Sequence, residues 1–190
     1  MDAYGALSPP TPGAVAGYDQ VTVGHAQAVV HGLLSEQLLE PTTLRGASIA
    51  ADLAGALHDL AVARDLGARP TPAGLRYRPL FPAPLTLGTP PATVLRSTWT
   101  TDGVQGAGGE TGLRVTWKGA LSYGVATPDG VQHRVGVEMT LGYIFSALAS
   151  EPGGVLLQVV QPLAFRSTGS LASCRARGLL WPGTSGPCPA

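Results

Sequence analysis

Residues 112–148 read "GLRVTWKGALSYGVATPDGVQHRVGVEMTLGYIFSAL", and the alternation inside this stretch decides the fold class. Leu113, Val115, Trp117, Leu121, Tyr123 and Val125 hold alternate positions, with Arg114, Thr116, Lys118, Ala120 and Ser122 between them. A period of two belongs to a strand with one buried face. Thr127-Pro128-Asp129-Gly130 then supplies Pro, Asp and Gly in the order a tight turn uses. After it, Val131, His133, Val135, Val137, Met139, Leu141, Tyr143, Phe145 and Ala147 alternate against Gln132, Arg134, Glu138 and Thr140. The stretch is predicted to be a long antiparallel hairpin with its odd-numbered side chains inward.

Working outward, "SEPGG" (150–154) predicts the next turn, and Val155, Leu157 and Val159 open a strand expected to run through Phe165. On the other side, Thr93 to Thr101 is rich in β-branched residues and reads as a strand with Leu95, Ser97 and Trp99 on one face. A Gly-rich loop, 102–112, links it to the hairpin. Gly119, Gly124, Gly136 and Gly142 interrupt the strands and are read as bulge positions where the sheet bends.

Upstream the period changes. Val23, Ala26, Val30, Leu33, Leu34 and Leu38 fall on one face of a helix from Val21 to Glu40, stopped by Pro41. A second helix is predicted from an N-cap at Ser48 to about Leu66. Between the helices and the strands, prolines at 70, 72, 79, 82, 84, 90 and 91 favour an extended crossing with a short edge strand, "LRYRPLF". The expected architecture is α+β: two N-terminal helices packed on a curved antiparallel meander of four to six strands. Residues 1–19 read as a flexible Pro/Gly-rich linker, 20–174 as one domain and 175–190 as a Pro/Gly-rich tail.

Composition narrows the function. Twelve basic residues balance twelve acidic ones in 190, so no overall positive field exists to draw in nucleic acid. No apolar run is long enough to insert in a membrane, and Met1-Asp2-Ala3-Tyr4 lacks signal-peptide character. Cys174 and Cys188 have neither zinc-site nor redox-dithiol spacing. A disulfide pinning the tail is expected, the alternative being two free thiols; a bridge points to an oxidising, extracytoplasmic compartment over the cytoplasm.

No cofactor motif is present: "GAGGETG" lacks the Lys-Ser/Thr of a phosphate loop, and no Gly-x-Ser-x-Gly elbow occurs. His25 and His31 are six apart, which excludes a two-His metal motif on one helical face. His133 is the one titratable side chain of the hairpin's apolar row, but it has no placed carboxylate or nucleophile beside it. With Trp99, Trp117, Tyr123, Met139, Tyr143 and Phe145 it lines either a packed core or an apolar pocket. On the polar face, Lys118 is predicted opposite Glu138 or Thr140, and Glu138 opposite Arg166, a cross-strand cluster that is either a solvated ladder or a grip on a ligand.

Helices, a Pro-rich crossing and a meander, in that order, resemble the SnoaL-like or nuclear-transport-factor-like cone fold. "LLSEQLLEPTTLRG" (33–46) and "STGSLASC" (167–174) are similar to small secreted or membrane-anchored actinobacterial proteins of that type. The resemblance implies that enzymatic members carry a carboxylate or a His/Asp pair into the cone, and here no Asp or Glu has inward parity on the hairpin. It therefore implies a non-enzymatic extracytoplasmic domain for a protein partner or a small apolar ligand, akin to periplasmic scaffold domains of secretion and conjugation machines. Two other readings stand beside it: a small-molecule isomerase, cyclase or hydrolase using the cone, and a structural or homo-oligomeric subunit of an assembly.

Overall fold

The computed structural model describes residues 5–47, 71–105, 111–147 and 154–189. Among them the chain forms an α+β arrangement with an open antiparallel sheet of four strands, β1 (Thr86–Gln105), β2 (Thr111–Ala126), β3 (Gln132–Ala147) and β4 (Val155–Thr168), in meander order. The expected hairpin is β2 and β3. Their register runs unbroken from Leu113 opposite Phe145 to Ala126 opposite Gln132. Gly130 closes the turn at φ 82°, which a side chain disfavours, and its N–H donates to the Thr127 carbonyl at 2.8 Å. The inward row is buried: from Leu113 to Val125 and from Val135 to Phe145, its apolar members are 0–1% exposed. Near the turn the row reaches solvent, with Val131 exposed and His133 half-buried.

The main helix, α1 (Gln20–Leu39), covers that row. Its first turn is capped by Asp19, whose carboxylate accepts from the Thr22 N–H at 2.7 Å. All six residues of the predicted stripe, Val23 to Leu38, are buried. Pro41 forces Glu40 out of helical geometry (ψ 118°) and then opens a single turn, α2 (Pro41–Leu44). Gln27 donates to Thr101 of β1, and the Tyr123 hydroxyl of β2 donates to the Leu38 carbonyl at 3.0 Å, so α1 lies across the strands it covers. The second predicted helix, 48–66, and the turn at 150–153 lie outside the described residues.

Several expectations are corrected. Leu95 is not in the inward row; it is 66% exposed. Val94 pairs with Leu121 and Arg96 with Ala120, so Leu95 is an extra residue bulged toward the outer face. Bulges fall in the outer strands, at 88–91, Leu95, Gln158 and Leu163, and not at the glycines of β2 and β3, whose register is continuous. "LRYRPLF" is no strand: a 3-10 turn, Gly74–Arg76, leads into an irregular run that buries Leu75, Leu80 and Phe81. Strand β1 instead starts at Thr86 and passes through Pro90 and Pro91, which an outer strand tolerates because one side needs no donor. The Gln158 bulge also exchanges Val159 for Val160 as the buried residue of β4.

Both chain ends join the core. Leu7 is fully buried, and Tyr18 donates to the Thr111 carbonyl at 2.7 Å, although composition alone reads that segment as linker. After the short helix α3 (Ala172–Arg175), Leu180 is fully buried and its N–H donates to the Leu80 carbonyl at 2.7 Å. Cys174 and Cys188 are joined by a disulfide.

Candidate functional site

Two faces compete for a functional role, and their chemistry differs. The inward face holds the aromatic candidates. Trp117, Tyr123 and Tyr143 are 0% exposed, Met139 and Phe145 1%, and each packs in one continuous core with α1. Trp117 donates its indole N–H to Ser97 Oγ at 3.0 Å and pairs with half-buried Trp99 across the strands. Tyr123 stacks obliquely on Phe81, with ring centroids 5.1 Å apart. Burial pushes the phenols of Tyr123 and Tyr143 far above their ordinary value, so both stay neutral at any physiological pH. Burial thus disfavours a phenolate base at either position. His133 lies apart from them at the end of the hairpin, opposite Val125, beside a shallow hollow lined by Gly124, Gln132 and Arg134.

The outward face gathers charge. Register alignment places Arg96, Ala120, Glu138 and Arg166 on one rung, one residue from each strand in order. The next outward rung carries Thr98, Lys118, Thr140 and Ala164. Lys118 thus stands opposite Thr140, and Glu138 opposite Arg166, as the spacing predicts. Arg96 completes the cluster by reaching over the small Ala120 side chain to within 3.8 Å of the Glu138 carboxylate. Arg96 keeps the outward side that inward Ser97 and Trp99 imply, and the register of β1 on β2 is unbroken from there as far as Gln105 opposite Thr111. Sequence reading misses it because the Gly-rich link between the two strands offers no tight turn to count from. The available signal is its even position beside Ser97 and the other inward residues of β1, which puts it on the face of Lys118 and Glu138.

Two hollows flank this rung. One, of about 250 Å³, is lined by Leu95, Ala120, Gly136, Glu138, Arg166 and Thr168. The other, of about 260 Å³, is lined by Arg96, Lys118, Glu138, Thr140, Ala164 and Arg166. Ala120, Gly136 and Ala164 are small, and long cationic side chains rise around them. Lys118 and Arg166 make no ion pair among the described residues, and the Arg96–Glu138 pair is more than half exposed on both sides. As a stabilising ladder the cluster is worth roughly 0–1 kcal/mol per pair. Three of its four charged side chains, Arg96, Lys118 and Arg166, are cations, so the exposed cluster carries net positive charge.

Further along the same face, Arg114 grips Asp102 with Nε and Nη2 in a two-pronged pair. That pair shows a satisfied guanidinium on the same sheet. Among the described residues no three His, Cys, Asp or Glu side chains group as a metal site, and no helix is long and apolar enough to cross a membrane. Comparison with protein-family models, curated proteins and solved structures finds no match to this chain.

Proposed function

We propose that the chain is a non-enzymatic extracytoplasmic binding or scaffold domain that docks a protein partner on the outer face of its sheet. One observation carries this reading: among the described residues the inward row is packed with aromatic and aliphatic side chains and contains no carboxylate, while the outer face exposes Arg96, Lys118 and Arg166 around Glu138. Catalysis by a cone would need a polar pair inside, and the hydroxyls inside, on Tyr123 and Tyr143, face Leu38 and Gln37 of the helix. The disulfide supports an oxidising compartment. A helix followed by an antiparallel meander supports the cone-like plan that the sequence resembles.

The test is site-specific photocross-linking in the source cells. A photoreactive side chain at Thr140 on the outer face should link the domain to one discrete protein. The same group at Ala28, exposed on α1, should not. Linkage from Ala28 alone, or a small apolar molecule recovered by mass spectrometry from the purified domain, would replace this reading.

A further inference from the structure

The outer face has a charge pattern of its own, and it restricts what a partner must look like. Arg96, Lys118 and Arg166 stand around Glu138, Arg134 lies two outward rungs further along β3, and the other acid on this face among the described residues, Asp102, is already held by Arg114. The whole chain is neutral and α1 carries no Lys or Arg, while five of the twelve cations, Arg96, Arg114, Lys118, Arg134 and Arg166, stand on outward positions of the sheet. Two aliphatic side chains stand beside them on the bulges, Leu95 at 66% exposure and Leu163 at 49%. Leu163 leans over Gly142, where a side chain would meet its methyl at 3.4 Å.

Resting on the binding-domain reading above, we propose that this face recognises an acidic segment of a partner protein, two carboxylates four positions apart with neutral or basic residues between them. The spacing follows from sheet geometry. Arg96 and Arg166 are rooted three strands apart on one rung, about 14 Å between backbones at ~4.8 Å per strand. Their heads take that spacing when a ligand carboxylate draws Arg96 off its exposed 3.8 Å contact with Glu138. Carboxylates at i and i+4 of an extended peptide lie about 13 Å apart at ~3.3 Å per residue. Glu138 stands between the two arginines and repels a third acid in the middle of the segment. That same carboxylate disfavours a continuous run of phosphates, as in nucleic acid or an anionic lipid surface, where every position is negative. Leu95 and Leu163 provide apolar contact for aliphatic residues between or beside the acids.

The experiment titrates the ¹⁵N-labelled chain with two blocked peptides of equal composition, GEALAEG with acids at i and i+4, and GEEALAG with acids adjacent. The expected result is amide shifts confined to residues 95–98, 118–122, 136–140 and 163–168, with about fivefold tighter binding of the first peptide. The Arg96→Ala/Arg166→Ala variant should weaken it about tenfold with the rest of the spectrum unchanged. Glu138→Gln should let a triacidic peptide, GEAEAEG, bind as well as GEALAEG. Equal affinity for the two peptides, an unaffected double variant, or shifts on another face overturn the proposal. So does stronger binding at these residues of heparin or of phosphatidylglycerol vesicles, which makes the site one for polyanions. If outer-face photocross-links to a protein persist while the peptides fail, only the acidic chemistry of the partner is wrong. If both fail, the binding reading falls with it.

Discussion

The indole of Trp117 occupies the space that a side chain on Gly119 would fill: a Cβ there would stand 2.0 Å from the ring carbon Cζ2. Two residues apart on one strand face, the largest side chain of the core and the absence of one are a matched pair. Gly119→Ala is expected to destabilise by about 1–3 kcal/mol, because Trp117 is fully buried and cannot swing out without disturbing α1. Urea denaturation followed by tryptophan fluorescence measures it; an unchanged midpoint would show that the ring has room to move.

Tyr123 ties the sheet to the helix end. Its hydroxyl, buried at 0% exposure, is 3.0 Å from the Leu38 carbonyl in the last turn of α1. Tyr123→Phe removes that donor and leaves the carbonyl buried without it, a loss of about 1–3 kcal/mol. Exchange of the amide protons in residues 33–39 should accelerate as well. A loss of stability without local acceleration would place the effect elsewhere.

The bridge from Cys174 to Cys188 spans a separation of 14 residues. A loop of that size restricts the unfolded chain by about 3 kcal/mol in the chain-entropy account. Cys174→Ser/Cys188→Ser should lower the unfolding free energy by that order and expose Trp181, which lies between the half-cystines on a segment bonded to Leu171 and Leu80. Equal stability with and without reductant would remove the structural case for an oxidising compartment.

Acid should loosen two local structures. The Thr22 backbone N–H holds the Asp19 carboxyl below its ordinary range, and the Thr127 hydroxyl does the same for Asp129. With the folded pKa below the unfolded one, the stabilisation is full above roughly pH 4 and disappears as pH falls through the folded value. Asp19→Asn keeps a capping oxygen but cannot titrate. Its melting temperature should therefore fall less than that of the natural protein between pH 5 and pH 2.5. Parallel melting curves would assign acid sensitivity to other carboxylates.

The parts of the fold legible in the sequence are those where one periodic pattern meets no interruption. Leu113 to Phe145 alternates across a turn with a register that never slips, so parity alone identifies which side chains are inside. The stripe of α1 is legible for the same reason. Parity fails where an extra residue enters a strand: Leu95 and Val159 have the composition of inward residues, yet register shifts turn both outward. Lys118, Glu138 and Arg166 can be aligned by counting from the turns, while Arg96 cannot, because the Gly-rich 102–112 link has no turn signature that fixes the register of β1 on β2. Docking of Leu7 and Leu180 is invisible to composition, since isolated leucines among Pro and Gly carry no period.

Interruptions in the outermost strands have a consequence for crowding. On β1 the hydrogen-bonding rhythm breaks at 88–91, where two prolines sit, and again at Leu95, while Ala16 lies against Gly103 at the far end. On β4 it breaks at Gln158 and Leu163, and Arg76 donates to the Pro162 carbonyl at 2.9 Å. β4 therefore offers no long unbroken template on which another molecule could add a strand, and on β1 the one long unbroken run, Arg96 to Gln105, ends under Ala16. At high concentration, strand addition between copies is accordingly confined to that one stretch of one edge.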